Sequence, residues 1–228
     1  MSRDAPGTPV TELRRGPLRT VLLAVIGIAL LVLGGGLAVG LGIGRDDPPA
    51  SDSVDAGFAR DMSRHHVQAV EMANLVPERS ADATVRQLAF DIGETQNNQV
   101  GRMQGWLALW GLPQSGGAPM AWMGSDAHAG HDMAGMDLSG SGLMPGMATE
   151  DELSNLRELT GTEFDVEFLR LMIRHHQGGK EMAVYAAEHA DVPAVRRLAG
   201  TIVDTQAAEV TTMADMLKSR GGTPLPAP

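Results

Sequence analysis

The sequence predicts an all-α protein, namely a four-helix bundle made of two repeated helical hairpins and preceded by one transmembrane helix. An uncharged run of 23 residues near the N-terminus is long enough to cross a membrane. Farther along, a pair of segments with helical periodicity occurs twice, whereas no stretch alternates like a strand. Two hairpins that must bury one apolar stripe per helix pack most simply as a four-helix bundle.

The repeat has an offset of 110 residues and contains no gap. Residues 58–73 match residues 168–183 at Phe, Arg, Met, His-His, Glu and Met-Ala, and the similarity continues from residues 85–103 to residues 195–213. The repeated unit is therefore a pair of segments, which we interpret as a helical hairpin.

Composition excludes several classes of function. The net charge is −10, and the first 45 residues hold five Arg against two acidic residues, so the remainder is more acidic still. Nucleic acid is therefore not an expected partner. The chain has no Cys, so any metal must be bound by His, Met or carboxylate side chains.

The apolar run, residues 21–43, is predicted to be an uncleaved signal anchor. Arg14, Arg15 and Arg19 precede it and Asp47 follows, which predicts a cytoplasmic N-terminus and an extracytoplasmic remainder at the cell membrane. The alternative is a cleaved signal peptide.

The predicted order of segments follows from the repeat and the helix signals. It is a cytoplasmic segment 1–20, signal anchor 21–43, linker 44–53, repeat one 54–111, a Met/His-rich crossover loop 112–148, a short helix 149–160, repeat two 162–220 and a tail 221–228, with the bundle domain spanning 54–220.

In repeat one, Ser53 is expected to cap a helix over residues 54–76, which Pro77 ends. Ser80 or Asp82 is expected to cap the second helix.

In the second half, Thr149 opens a capping box for the short helix. Thr162 or Asp165 is expected to start the long helix, and Asp191 to cap the last one ahead of Pro193.

Each repeat places Met and His on one helical stripe, with a second His beside it. Imidazole and thioether are both good ligands for soft metals such as copper. The alternative is a hydrogen-bonded polar core. The candidate ligands are Met62, His65, His66, Met72, Met172, His175, His176 and Met182. Because a ligating imidazole must be neutral, this site is expected to weaken below about pH 6.

The crossover loop is a second candidate site, expected to be exposed and to capture Cu(I) through thioethers. The alternative is a disordered low-complexity linker. The candidate residues are Met120, Met123, His128, His131, Met133, Met136, Met144 and Met147.

Glu71 and Glu181 are the repeated carboxylates. They are expected either to orient the histidines or to form ion pairs with Arg or Lys.

The motif Phe-x-x-x-Met-x-x-His-His-x-x-x-x-Glu-Met-Ala occurs twice, with Met-Pro-Gly-Met ahead of the second copy. With these motifs, residues 54–218 resemble family 305 of the domains of unknown function. The resemblance implies a ferritin-like fold, a periplasmic setting and copper binding by the eight candidate ligands of the bundle. One departure is Gly178-Gly179 in mid-helix, which is expected to loosen the second site.

The sequence thus favours a membrane-anchored, extracytoplasmic copper-binding protein that buffers the metal, confers resistance or transfers it to a partner protein. The alternatives are a ferritin-like metal oxidase and an envelope interaction module without metal. Glu-x-x-His, which di-iron bundles use, does not occur in the chain, so no enzymatic activity is expected. The oligomeric state is left open.

Overall fold

The structure, a computed structural model, describes residues 16–41, 47–124 and 142–228. Within these ranges all regular structure is helical, and no strand occurs. The described helices are α1 (Pro17–Gly40), α2 (Val54–Arg79), α3 (Ala83–Leu109), α4 (Glu150–Glu158), α5 (Gly161–His189) and α6 (Pro193–Ser219).

The chain divides into two compact units between Asp47 and Pro48. The first contains α1, a helix of 24 residues with a mean hydropathy of 2.7 over its most apolar stretch and no buried residue. It is long and apolar enough to cross a membrane, a test that a secretory signal sequence also meets.

The second unit is the helical bundle. Helix α2 packs against α3, α5 packs against α6, and the two hairpins meet mainly through α2 and α5, while α4 packs on α5. This confirms the predicted fold class, because each repeat forms one hairpin and the His-His helices of the two repeats face each other.

Local signals start three of these helices as predicted. The side chain of Ser53 accepts a hydrogen bond from the Ala56 amide at the start of α2. Asp82 caps α3 by accepting from the amides of Thr84 and Val85. Thr149 and Glu152 form the reciprocal capping box of α4.

Two other boundaries differ from the prediction. Helix α2 continues through Pro77 to Arg79, because a proline in the last turn removes only one backbone hydrogen bond. Helix α5 begins at Gly161, after Thr160, which makes no side-chain cap.

The start of α6 is capped from the other hairpin, so the expectation for Asp191 is wrong. The N-cap residue is Val192, which makes no side-chain capping bond. Instead, the buried carboxylate of Asp55 on α2 accepts from the amides of Asp191 at 3.1 Å and Val192 at 2.9 Å. Asp55 thereby accepts from the amides of the two residues that lead into α6.

The core consists of two apolar clusters with a polar layer between them. One cluster contains Met62 and Met182, and the other contains Met72 and Met172. On both α2 and α5 the two His lie between these Met positions. The pairing of an early residue on α2 with a late residue on α5 shows that the two helices run antiparallel.

The described ends of the crossover loop are bound to the bundle. Asp61 accepts from the Met120 amide and from the Trp122 indole N–H, both at 2.7 Å. The Gln68 amide forms two hydrogen bonds with the backbone of Ala148, at 2.7 Å and 2.9 Å. Both ends therefore contribute side chains to the core.

We predict that Asp55→Ala destabilises the bundle by about 2 kcal/mol, because it leaves two amide donors at the start of α6 without acceptors. Urea denaturation of residues 48–228 measures the change. The exposed Asp191 provides the control, and Asp191→Ala should alter stability by less than about 0.5 kcal/mol. Equal effects of the two variants would contradict the assignment of the cap.

Candidate metal centre

Four histidines occupy the middle of α2 and α5, and none is more than 1% exposed. The rings of His65 and His175 lie side by side across the helix interface, with centroids 3.8 Å apart and planes at 38°. Within each helix, neighbouring imidazoles are 6.4 Å apart. The structure thus brings one imidazole from each repeat into direct contact.

His65 has one ring nitrogen bonded and one without a partner. Its Nε2–H donates to the carbonyl oxygen of Pro145 at 3.1 Å. Its Nδ1 is buried and has no hydrogen-bond partner in the described structure. The segment before α4 therefore holds this ring from one side.

His66 and His176 point to the outer helices and make equivalent contacts. Nε2 of His66 lies 2.7 Å from Oε1 of Gln99 on α3, and Nε2 of His176 lies 2.8 Å from Oε2 of Glu209 on α6. Gln99 and Glu209 occupy matching positions of the repeat. Both Nδ1 atoms are buried without a partner among the described residues.

His175 makes no hydrogen bond to any described residue through either ring nitrogen. A neutral imidazole carries one donor and one acceptor, and leaving both unsatisfied in a protein core is costly. Gln96 and Gln206 are also buried, and within the described ranges both ends of each side-chain amide are unpartnered. Such a concentration of polar atoms is suited to contact with water or a bound ion.

Burial favours the neutral form of three of these imidazoles, those of His65, His66 and His175. It lowers the pKa of His65 to about 4 and that of His66 to about 3, and it lowers the pKa of His175 well below the ordinary value. In each case loss of hydration is the largest cause, and neighbouring imidazoles add to it. His65 therefore keeps an unprotonated ring nitrogen down to about pH 4.

The four repeated methionines are all fully buried, in pairs on either side of the histidines. Met62 and Met172 each lie one helical turn before a histidine pair, at His65 and His175. Across residues 16–41, 47–124 and 142–228, no three His, Asp or Glu side chains converge on one point. A site built from this arrangement would therefore need further ligands, for which the adjacent thioethers are candidates.

The loop methionines that the structure describes are not exposed, so that expectation is wrong for them. Met120, Met123 and Met144 are buried in the same cluster as Met62 and Met182, and Met147 packs partly buried against it. The cause is the anchoring of both loop ends through Asp61 and Gln68. The remaining candidates lie outside the described residues: His128, His131, Met133 and Met136.

The repeated carboxylates lie on the bundle periphery. Glu71 forms an ion pair with Arg157 of α4 at 2.5 Å and is about half exposed. Glu181 is partly buried and also has an interaction partner. In the described structure a histidine is in contact with the carboxylate of Glu209, a residue that was not predicted from the sequence. The 110-residue offset of the repeat could have identified this residue, because the offset aligns Glu209 with the inward-facing Gln99.

The two mid-helix glycines permit close packing around His65. A β-carbon at Gly178 would lie 2.1 Å from the Pro145 carbonyl oxygen, and one at Gly179 would lie 3.0 Å from the His65 ring. The sequence predicted that these glycines loosen the second site. In the structure they also let the Pro145 segment and an imidazole approach α5.

The family profile described as "Domain of unknown function (DUF305)" matches residues 55–217. The chain belongs to this family. Among curated proteins, none matched the sequence.

Solved structures of two DUF305 proteins and of CopM share the fold. One, a candidate secreted protein from Streptomyces coelicolor, is 46% identical with a TM-score of 0.68, over 77% of this chain and 99% of its own. A DUF305 fragment from Deinococcus radiodurans is 35% identical with a TM-score of 0.58, over 75% of this chain and 99% of its own. CopM in its Cu(II)-bound form is 26% identical with a TM-score of 0.54, over 73% of this chain and 97% of its own.

We predict that the metal-free bundle loses stability as the pH falls from 6.5 towards 4. Above pH 6.5 the imidazoles of His65, His66 and His175 are neutral in both states, whereas below it the unfolded chain binds protons that these three buried rings reject. Each such imidazole lowers the free energy of unfolding by about 1.4 kcal/mol for each unit by which the pH falls. Urea denaturation at pH 7, 6 and 5 measures the free energy of unfolding.

Two substitutions control this experiment. His66→Phe should reduce the slope, whereas a substitution at the exposed His189 should leave it unchanged. A free energy of unfolding that stays constant between pH 7 and pH 5 would show that the core histidines accept protons as readily as the unfolded chain does.

Proposed function

We propose that this protein is a membrane-anchored, extracytoplasmic copper-binding protein that buffers copper, confers resistance to it or transfers it to a partner protein. The observation that carries the proposal is the contact between His65 and His175. These are two buried imidazoles of low pKa whose nitrogens include three without a partner in the described structure.

The donor set fits copper better than hard cations. Neutral imidazole and uncharged thioether suit Cu(I), and imidazole also suits Cu(II), whereas Mg²⁺ and Ca²⁺ require oxygen ligands. A copper ion held here would bind imidazole nitrogens of the polar layer together with thioethers of the adjoining clusters. The relation to CopM, which was solved in a Cu(II)-bound form, supports this choice of metal.

The cluster around Met62 and Met182 supports a second, Cu(I)-selective component. Three loop methionines, Met120, Met123 and Met144, are packed into it. Thioether sulfur is a soft ligand that carries no charge and binds no proton in the accessible pH range. In this proposal the loop adds Cu(I) capacity by extending the buried cluster rather than by forming an exposed tether.

Helix α1 supports the proposed location. Its length and composition suit a signal anchor, and the arginines before it favour a cytoplasmic N-terminus. The similar protein from Streptomyces coelicolor is a candidate secreted protein, which agrees with a bundle outside the cytoplasm.

Binding, rather than oxidation, is the proposed activity. Di-iron bundles use Glu-x-x-His in their paired helices, and this chain lacks that motif. The polar layer of the bundle is built from His and Gln, with Glu209 as the carboxylate in contact with an imidazole.

We predict that the double variant His65→Phe/His175→Phe loses the tightest Cu(II) site. The affinity should fall by more than about 100-fold, because even residues that only orient a ligand contribute 10- to 100-fold. Chelator competition on residues 48–228 measures it, and circular dichroism verifies the helices. His189→Phe, at an exposed position, is the matched control. Unchanged affinity in the double variant would exclude the central pair as the site.

We predict that replacing Met120, Met123 and Met144 together by Leu weakens Cu(I) binding and leaves Cu(II) binding unchanged. Leucine conserves volume and removes only the thioether, at a cost below about 1.5 kcal/mol per site. Competition with a Cu(I) chelator provides the measurement. Met213→Leu, in the opposite apolar cluster, is the control. Equal Cu(I) affinity in the triple variant and the control would show that these methionines serve packing alone.

A further inference from the structure

Two of the four histidines contact acceptor groups that fix the position of their proton. The Pro145 carbonyl and the Glu209 carboxylate can only accept, so the Nε2 atoms of His65 and His176 must carry the hydrogen. A neutral imidazole has one N–H, and its other nitrogen then bears the lone pair. In both residues that nitrogen is Nδ1.

The same two Nδ1 atoms are buried without a partner in the described part of the chain. Nδ1 is thus both the basic atom of each ring and the atom that lacks a contact. It is therefore the nitrogen available to a metal, while Nε2 is used to hold the ring in place.

The two repeats differ at the group that holds the second histidine. Position 99 is Gln, whose amide can accept or donate, so it is compatible with either proton position on His66. The matching position 209 is Glu, which permits only Nε2–H on a neutral His176 and adds a negative charge. The Glu209 side chain is 18% exposed, so its charge is only partly screened by water.

We propose that Glu209 is a positioning residue that makes His176 an Nδ1 ligand and biases its half of the centre towards Cu(II). This inference rests on the proposed function, in which the histidines bind copper. A carboxylate hydrogen-bonded to a ligating imidazole raises the basicity of the ligand. Its charge stabilises Cu(II) more than Cu(I), because Cu(II) carries one more positive charge.

The proton position is tested without metal. The full-length chain, labelled with ¹⁵N-histidine and held in detergent micelles, is studied by NMR at pH 7, which resolves the two ring nitrogens of each imidazole. We expect His65 and His176 to carry the hydrogen on Nε2, with Nδ1 unprotonated. A His176 ring that is protonated on Nδ1, or on both nitrogens, would overturn the inference.

The copper preference is tested by a reciprocal exchange. Glu209→Gln should lower the Cu(II) affinity by about tenfold while changing the Cu(I) affinity less, which raises the reduction potential by at most about 59 mV. Gln99→Glu should shift the preference the opposite way. Asp204→Asn removes an equal charge from an exposed position of α6 and should change neither affinity.

These outcomes separate the two proposals. If copper binds the full-length chain but Glu209→Gln leaves the ratio of the two affinities unchanged, the role of Glu209 is excluded and the proposed function stands. If the unsubstituted protein binds no copper, the proposed function fails together with the copper preference, and NMR alone decides the proton position. Because Gln99→Glu is expected to strengthen the preference for Cu(II), a folding defect in one variant cannot account for both results.

Discussion

The contact between α2 and α5 depends on a layer of buried imidazoles, three of which burial holds in the neutral form. A charged ring at His65 or His66 would lose its hydration with little compensation, which is why burial holds the pKa of both residues low. The apolar clusters lie on either side of this layer. Neutrality also leaves a lone pair on each of the three rings, so one physical property serves both the packing of the bundle and the binding of a metal.

Whether a feature of the fold could be predicted from the sequence depends on how far apart in the chain its interacting residues lie. The helix starts at Ser53, Asp82 and Thr149 were predictable, because each side chain bonds to an amide two or three residues away. The repeat offset predicted the two hairpins and the facing His-His pairs. The cap by Asp55 was not predictable, because it acts across 136 residues and leaves no local signal.

The residues of the candidate site also divide into those marked by a local sequence pattern and those placed by contacts between distant parts of the chain. The histidines and their burial followed from the helical stripe, whereas the Pro145 carbonyl that orients His65 is a backbone atom that no residue pattern marks. The methionines of the loop were predictable as soft ligands but not as core residues. Their burial depends in part on Gln68, which forms hydrogen bonds with Ala148 at the end of the loop. It also depends on Gly178, the equivalent of Gln68 in the second repeat, because a side chain there would collide with Pro145 of the loop.

The carboxylate of Asp55 also makes the two halves of the duplication unequal. The two residues that lead into α6, Asp191 and Val192, donate their amides to an acceptor that lies near the start of α2. A hairpin of α5 and α6 alone would lack this acceptor. The duplicated halves are therefore not interchangeable modules, because the first supplies a capping group to the second.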